Sequence, residues 1–145
     1  MAGEMLSIPQ LSLLGFALWT VLVPMTAIGV YRWSRILRGL QPIHAFPADA
    51  SVGADWYRRT MRAHANCLEN LPVLAVLVWT ITVLGLDTQL LDALAITVLV
   101  ARVGQSSVHI GWTETQRTVS IRFTCFFVQF ACMIAIAAVA IMRLS

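Results

Sequence analysis

Four apolar stretches separated by short polar connections dominate the chain, and each is long enough, with its flanks, to cross a lipid bilayer as a helix. Inside a bilayer no water satisfies an exposed backbone, so spanning segments close their hydrogen bonds within themselves. The pattern predicts spans at about residues 7–38, 54–85, 88–111 and 117–143. Composition agrees: 59% of the 145 residues are hydrophobic and only 12% are charged, about half the charge of an ordinary soluble domain. The expected fold is an all-α integral membrane protein, a single four-transmembrane-helix bundle over residues 1–145. The net charge of +3 does not point to nucleic acid, because the cations border apolar helices instead of forming a basic run.

All ten cationic side chains are arginine. A guanidinium stays charged at any relevant pH and offers a planar fork to carboxylates. Arg32, Arg35, Arg38, Arg58, Arg59 and Arg62 flank the first connection, and Arg117 and Arg122 flank the third. The opposite side carries Glu4, Asp87 and Asp92 with only Arg143. The excess of arginine places the first and third connections in the cytoplasm and both termini away from it. Met1 to Glu4 lacks the positive region of a cleaved signal peptide, so the first span is expected to be retained. Pro24 and Pro72 fall inside spans, where each removes a backbone donor and is expected to distort its helix, while Gly39, Pro42 and Pro47 punctuate the first connection.

Topology alone does not require charge inside the helices. Arg58, Arg62, Asn66 and Glu69 are spaced four, four and three residues apart and form one stripe on the second helix. Arg102, Gln105, Ser106 and His109 form another on the third. Polar groups at membrane depth are costly and usually face a cavity or partner. Several arginines with one carboxylate and one carboxamide suit a compact zwitterion with excess negative charge. Guanidinium forks grip carboxylates, Glu69 accepts from an ammonium, and Asn66 pairs with an amide. Glutathione, with two carboxylates, an ammonium, two peptide units and a thiol, fits that description. A nearby guanidinium favours its thiolate, the nucleophilic form. Cys67, Cys125 and Cys132 have no metal-binding spacing and read as small buried hydrophobes.

The run Arg62-Ala63-His64-Ala65-Asn66-Cys67-Leu68-Glu69-Asn70-Leu71-Pro72 resembles the signature of the membrane-associated proteins in eicosanoid and glutathione metabolism. The likeness extends over the chain's length, its four helices, its polar first connection, and Arg102-Val103-Gly104 through Gly111. It implies a homotrimer with glutathione as co-substrate in clefts between subunits, open to the cytoplasm. Arg62, Asn66 and Glu69 match positions that contact glutathione. Arg32, with Arg35 close behind, is the counterpart of an arginine from the adjacent subunit. His109 stands where the eicosanoid enzymes often carry tyrosine, and Gln105 lies one turn before it. The thiolate-stabilising arginine at the start of the last helix is Arg122 or Arg117, with the aromatic four residues beyond Arg122 favouring the former.

The resulting expectation is a glutathione-dependent membrane transferase or peroxidase whose lipophilic electrophile or lipid hydroperoxide arrives from the bilayer. The alternative is a non-catalytic lipid-binding or scaffold protein of the same fold. Arg102 is expected to be structural, and Trp33, Trp56 and Trp112 to form an interfacial belt. The compact chain without a retention-like tail points to a bacterial inner membrane over the endoplasmic reticulum.

Overall fold

The computed structural model describes residues 6–46 and 53–144. Glu4 and Pro47, which entered the reading of the termini and first connection, lie outside the described residues. The described residues form helices and no strand. Four of the helical segments, Ile8–Leu37, Asp55–Val83, Gln89–Gly111 and Gln116–Leu144, are long and apolar enough to cross a membrane. The chain is a multi-pass integral membrane protein with an all-α four-helix architecture.

The first span is built in three pieces: helix α1 (Ile8–Val23), a π-helical segment (Pro24–Gly29) and helix α2 (Val30–Leu37). Ser7 starts α1 with a reciprocal cap, its backbone N–H donating to Gln10 Oε1 at 2.9 Å while its Oγ accepts from Gln10 N–H at 3.5 Å. The distortion expected at Pro24 takes the form of the π-helical segment, which absorbs the missing donor by widening the turn. Pro72 acts differently. Helix α3 (Asp55–Val83) remains α-helical through it, so the missing donor is tolerated without a change of helix type.

Gly85, at φ 62°, lets the chain turn back so that Leu86 N–H reaches Ile81 C=O at 2.9 Å. Thr88 then caps helix α4 (Gln89–Gly111) by accepting from Leu91 N–H at 3.3 Å. Helix α5 (Gln116–Leu144) opens with a pair of threonines: Thr115 N–H donates to Thr118 Oγ1 at 2.8 Å, and Thr118 N–H donates to Thr115 Oγ1 at 3.2 Å. That lock fixes the first turn of the helix that carries Arg117 and Arg122.

Helix α4 packs against α5, α1 and α3. Phe16, Cys67, Leu74, Val78, Val98, Cys132 and Met133 meet in the middle of the bundle, and Ile81, Leu91, Ile136 and Ala140 close the end near Gly85. Outward-facing Leu18, Val21, Trp79, Phe127, Ile134 and Ile141 are exposed, as a lipid-facing surface requires. Trp33, Trp56 and Trp112 are exposed as well.

Candidate functional site

The two polar stripes face different surroundings. The buried side of α3 is made by Tyr57, Thr60, Ala63, Cys67, Asn70, Leu74, Val78 and Ile81. Arg58, Arg62 and Glu69 are therefore exposed and Asn66 half-buried, on a face turned away from the core of the bundle. From Arg62 to Glu69 the stripe descends about 10 Å along the helix. The stripe of α4 points inward: Arg102, Gln105, Ser106 and His109 are all buried.

At the arginine-rich end, α3 and α5 are joined through one side chain of the connection between α4 and α5. Glu114 Oε1 lies 3.7 Å from Arg62 Nη1 and 3.5 Å from Arg122 Nη1. Arg122 retains 21% of its side-chain exposure and Arg62 71%, so the first is set into the protein while the second reaches into solvent. Beside them is a concavity of about 260 Å³ lined by Asp55, Arg58, Arg59, Arg62, Thr113 and Glu114. Arg58 pairs with Asp55 in the first turn of α3. Arg59 Nη2 donates to Ile110 C=O at 3.4 Å, placing a cation at the negative end of α4.

Arg32 and Arg35 occupy a separate aromatic cluster of the same chain. Arg32 Nε donates to Tyr57 Oη at 2.9 Å, and its guanidinium lies 5.4 Å from the Phe46 ring centroid and 5.9 Å from that of Tyr57. Arg35 Nε donates to Gln41 Oε1 at 3.0 Å, with its guanidinium 5.6 Å from the Tyr31 ring. Tyr31 stacks on Tyr57 with centroids 4.3 Å apart, and its hydroxyl accepts from Ala54 N–H at 3.3 Å. Gly53 lies so close that a Cβ there would meet Tyr57 Cδ1 at 2.9 Å. The cluster ties the first span and the end of the first connection to α3, with the two guanidiniums held against ring faces.

Deeper in the bundle, Gln129 Nε2 donates to Gln105 Oε1 at 3.1 Å and to Cys125 C=O at 3.2 Å. Arg102 is fully buried, 5.4 Å above the Phe16 ring, with Nε and Nη2 unpartnered. Its surroundings include Cys67 and Glu69. Cys67 Sγ is 3.6 Å from Ser106 Oγ. His109 is buried with Nδ1 unpartnered, within electrostatic range of Arg122, Glu114 and Arg62.

Within one chain the fold thus brings together Arg62 and Arg122, with His109 below them and Asn66 and Glu69 further along the Arg62 stripe. Gln105 sits in the contact between α4 and α5. Arg32 and Arg35 stay with the aromatic cluster, and Arg117 is exposed beside Thr115, Gln116, Ser120 and Ile121, away from the Arg62–Arg122 pair. Three further participants appear in the fold. Glu114 and Tyr57 carry no local signal, since each acts through a tertiary partner. Gln129 does carry one: it is a lone carboxamide in the apolar run of α5, seven residues after Arg122 and therefore near the same helix face.

Residues 11–142 match the family model described as MAPEG family. Comparison with curated proteins finds no match.

Proposed function

The chain belongs to the MAPEG family, and from that premise we propose that it is a glutathione-dependent transferase or peroxidase acting on a lipophilic substrate drawn from the bilayer. Family membership supports a role in glutathione-related or eicosanoid metabolism, within a group that also includes non-enzymatic members. The observation that carries the enzymatic reading is the convergence of Arg62 and Arg122 on one carboxylate oxygen of Glu114. Two guanidiniums from different helices, one of them mostly buried, already hold an anionic group at the mouth of a concavity.

In this reading Arg62, Asn66 and Glu69 bind glutathione along the exposed stripe of α3. That stripe faces outward because the cleft is completed by a neighbouring subunit of a homotrimer, which supplies Arg32 or Arg35. Gln105 and His109, buried on α4, back the inner side of the cleft. Arg122 stabilises the thiolate, and Arg117 is the weaker candidate because it points elsewhere. Positive charge beside the sulfur lowers the free energy of the anion relative to the thiol. The thiolate then attacks the electrophilic carbon, a C–S bond forms, and the leaving group departs with its electron pair. With a hydroperoxide it attacks the terminal oxygen, the O–O bond breaks, and the alkoxide takes up a proton to give an alcohol. A second glutathione reduces the resulting sulfenic species, yielding disulfide and water. We place the arginine-rich end in the cytoplasm of a bacterial inner membrane, with both termini on the far side.

The purified protein is expected to conjugate glutathione to a chloronitrobenzene, followed by absorbance. No conjugation, together with no reduction of a lipid hydroperoxide, would favour the lipid-binding alternative. Arg62→Ala and Glu69→Gln are each expected to weaken glutathione binding about tenfold, the loss of one charge-assisted hydrogen bond. Binding equal to wild type in both variants would remove the α3 stripe from the site.

A further inference from the structure

Glu114 belongs to none of the glutathione contacts proposed above, yet it bridges two of the residues that make them, Arg62 and Arg122. We propose that Glu114 is a positioning residue: an internal carboxylate that holds Arg62 and Arg122 together while the site is empty and yields to the anionic groups of the incoming peptide. This inference rests on the glutathione reading and concerns what limits affinity at that same site.

Three observations support it. A single oxygen, Oε1, serves both guanidiniums, so the carboxylate sits where an anion bound by that pair has to sit. Glu114 also forms part of the concavity's wall beside Arg58, Arg59 and Thr113, so a ligand entering there meets it directly. Finally, it is half exposed and stands in the short connection between the end of α4 at Gly111 and the start of α5 at Gln116. An accessible ion pair of this kind is weak, and exchange for a ligand carboxylate or thiolate costs little.

The charged and titratable groups around Glu114 are Asp55, Arg58, Arg59 and Arg62 from α3, His109 from α4, and Arg122 from α5. Cations outnumber anions there, so the field favours an incoming anion. Glu114 opposes it twice, by competing for the same two guanidiniums and by placing like charge beside the sulfur.

The experiment compares wild type with Glu114→Gln, which keeps the size and one acceptor but removes the charge. Binding is measured by calorimetry on the detergent-solubilised assembly, and ionisation by the ultraviolet thiolate band of bound glutathione across a pH series. The variant is expected to bind glutathione about three- to tenfold more tightly, with the thiolate band appearing at lower pH than in wild type. The same comparison with S-methylglutathione, which has no ionisable thiol, is expected to keep a gain in affinity and show no band. Glu114→Ala, also uncharged, is expected to shift both readouts in the same direction should the glutamine variant fail to assemble. Unchanged or weaker binding, or a band whose pH dependence does not move, overturns the proposal; weaker binding would instead assign Glu114 to the peptide's ammonium. Failure of wild type to take up glutathione would overturn the functional reading itself. A wild type that binds, beside a variant that gains nothing, removes only the role of Glu114.

Discussion

Arg122→Ala is expected to lower the rate of glutathione conjugation about a hundredfold or more, the usual cost of removing a preorganised group that stabilises developing or resident negative charge. The fall should appear in kcat and in the thiolate band, with glutathione affinity affected much less, because Arg62, Asn66 and Glu69 remain. Arg122 is suited to the role by its setting: it retains only 21% of its side-chain exposure and faces Glu114 at 3.5 Å. A charge partly withdrawn from water acts through a lower effective dielectric than one in solvent. Arg117, exposed at the surface, is screened and lines a different hollow, so Arg117→Ala should leave both readouts near wild type. Arg122→Lys should recover part of the activity, since it restores charge without the planar fork. An equal loss in the Arg117 and Arg122 variants, or a full thiolate signal in Arg122→Ala, would contradict the assignment.

The second large effect concerns stability. Phe16→Ala is expected to destabilise the folded bundle by about 3–5 kcal/mol, the range for deleting a buried phenylalanine side chain. Phe16 has no exposed surface and joins the central cluster with Cys67, Leu74, Val98 and Met133. In a bilayer the loss falls on close packing, since lipid is no better a solvent for one apolar face than another. The ring also lies 5.4 Å below the Arg102 guanidinium. That cation has two unpartnered nitrogens, so the ring face is one of the few favourable neighbours available to it. Phe16→Leu, which fills much of the space but presents no ring, should cost less than alanine in an unfolding titration in detergent. Unfolding of Phe16→Ala at the wild-type midpoint would show that this cluster does not hold the helices together.

Much of the architecture is legible in the sequence because the bilayer leaves a chain so few options. Apolar length yields the helices, and the three- and four-residue spacing of Arg58, Arg62, Asn66 and Glu69 places them on one face. The same spacing groups Arg102, Gln105, Ser106 and His109. Spacing does not say which way a stripe points. The α3 stripe faces out of the bundle and the α4 stripe faces in, a difference set by which neighbours pack on each helix. The two prolines show the same limit. Both lack a donor, yet Pro24 opens a π-helical segment and Pro72 leaves α3 α-helical. Glu114 is the clearest case of a residue whose meaning is tertiary. In sequence it is one acid in a hydrophilic break, and only the approach of α3 to the start of α5 turns it into the bridge between Arg62 and Arg122.

In the proposed function the arginines at this end of the bundle capture an anionic thiol peptide. Calorimetric titration of glutathione into the purified, detergent-solubilised assembly tests it most directly. Saturable uptake is expected in wild type, weakened about tenfold in Arg62→Ala. Absence of any uptake by a well-folded wild-type assembly would contradict it and leave the Arg62–Glu114–Arg122 bridge as a brace between helices.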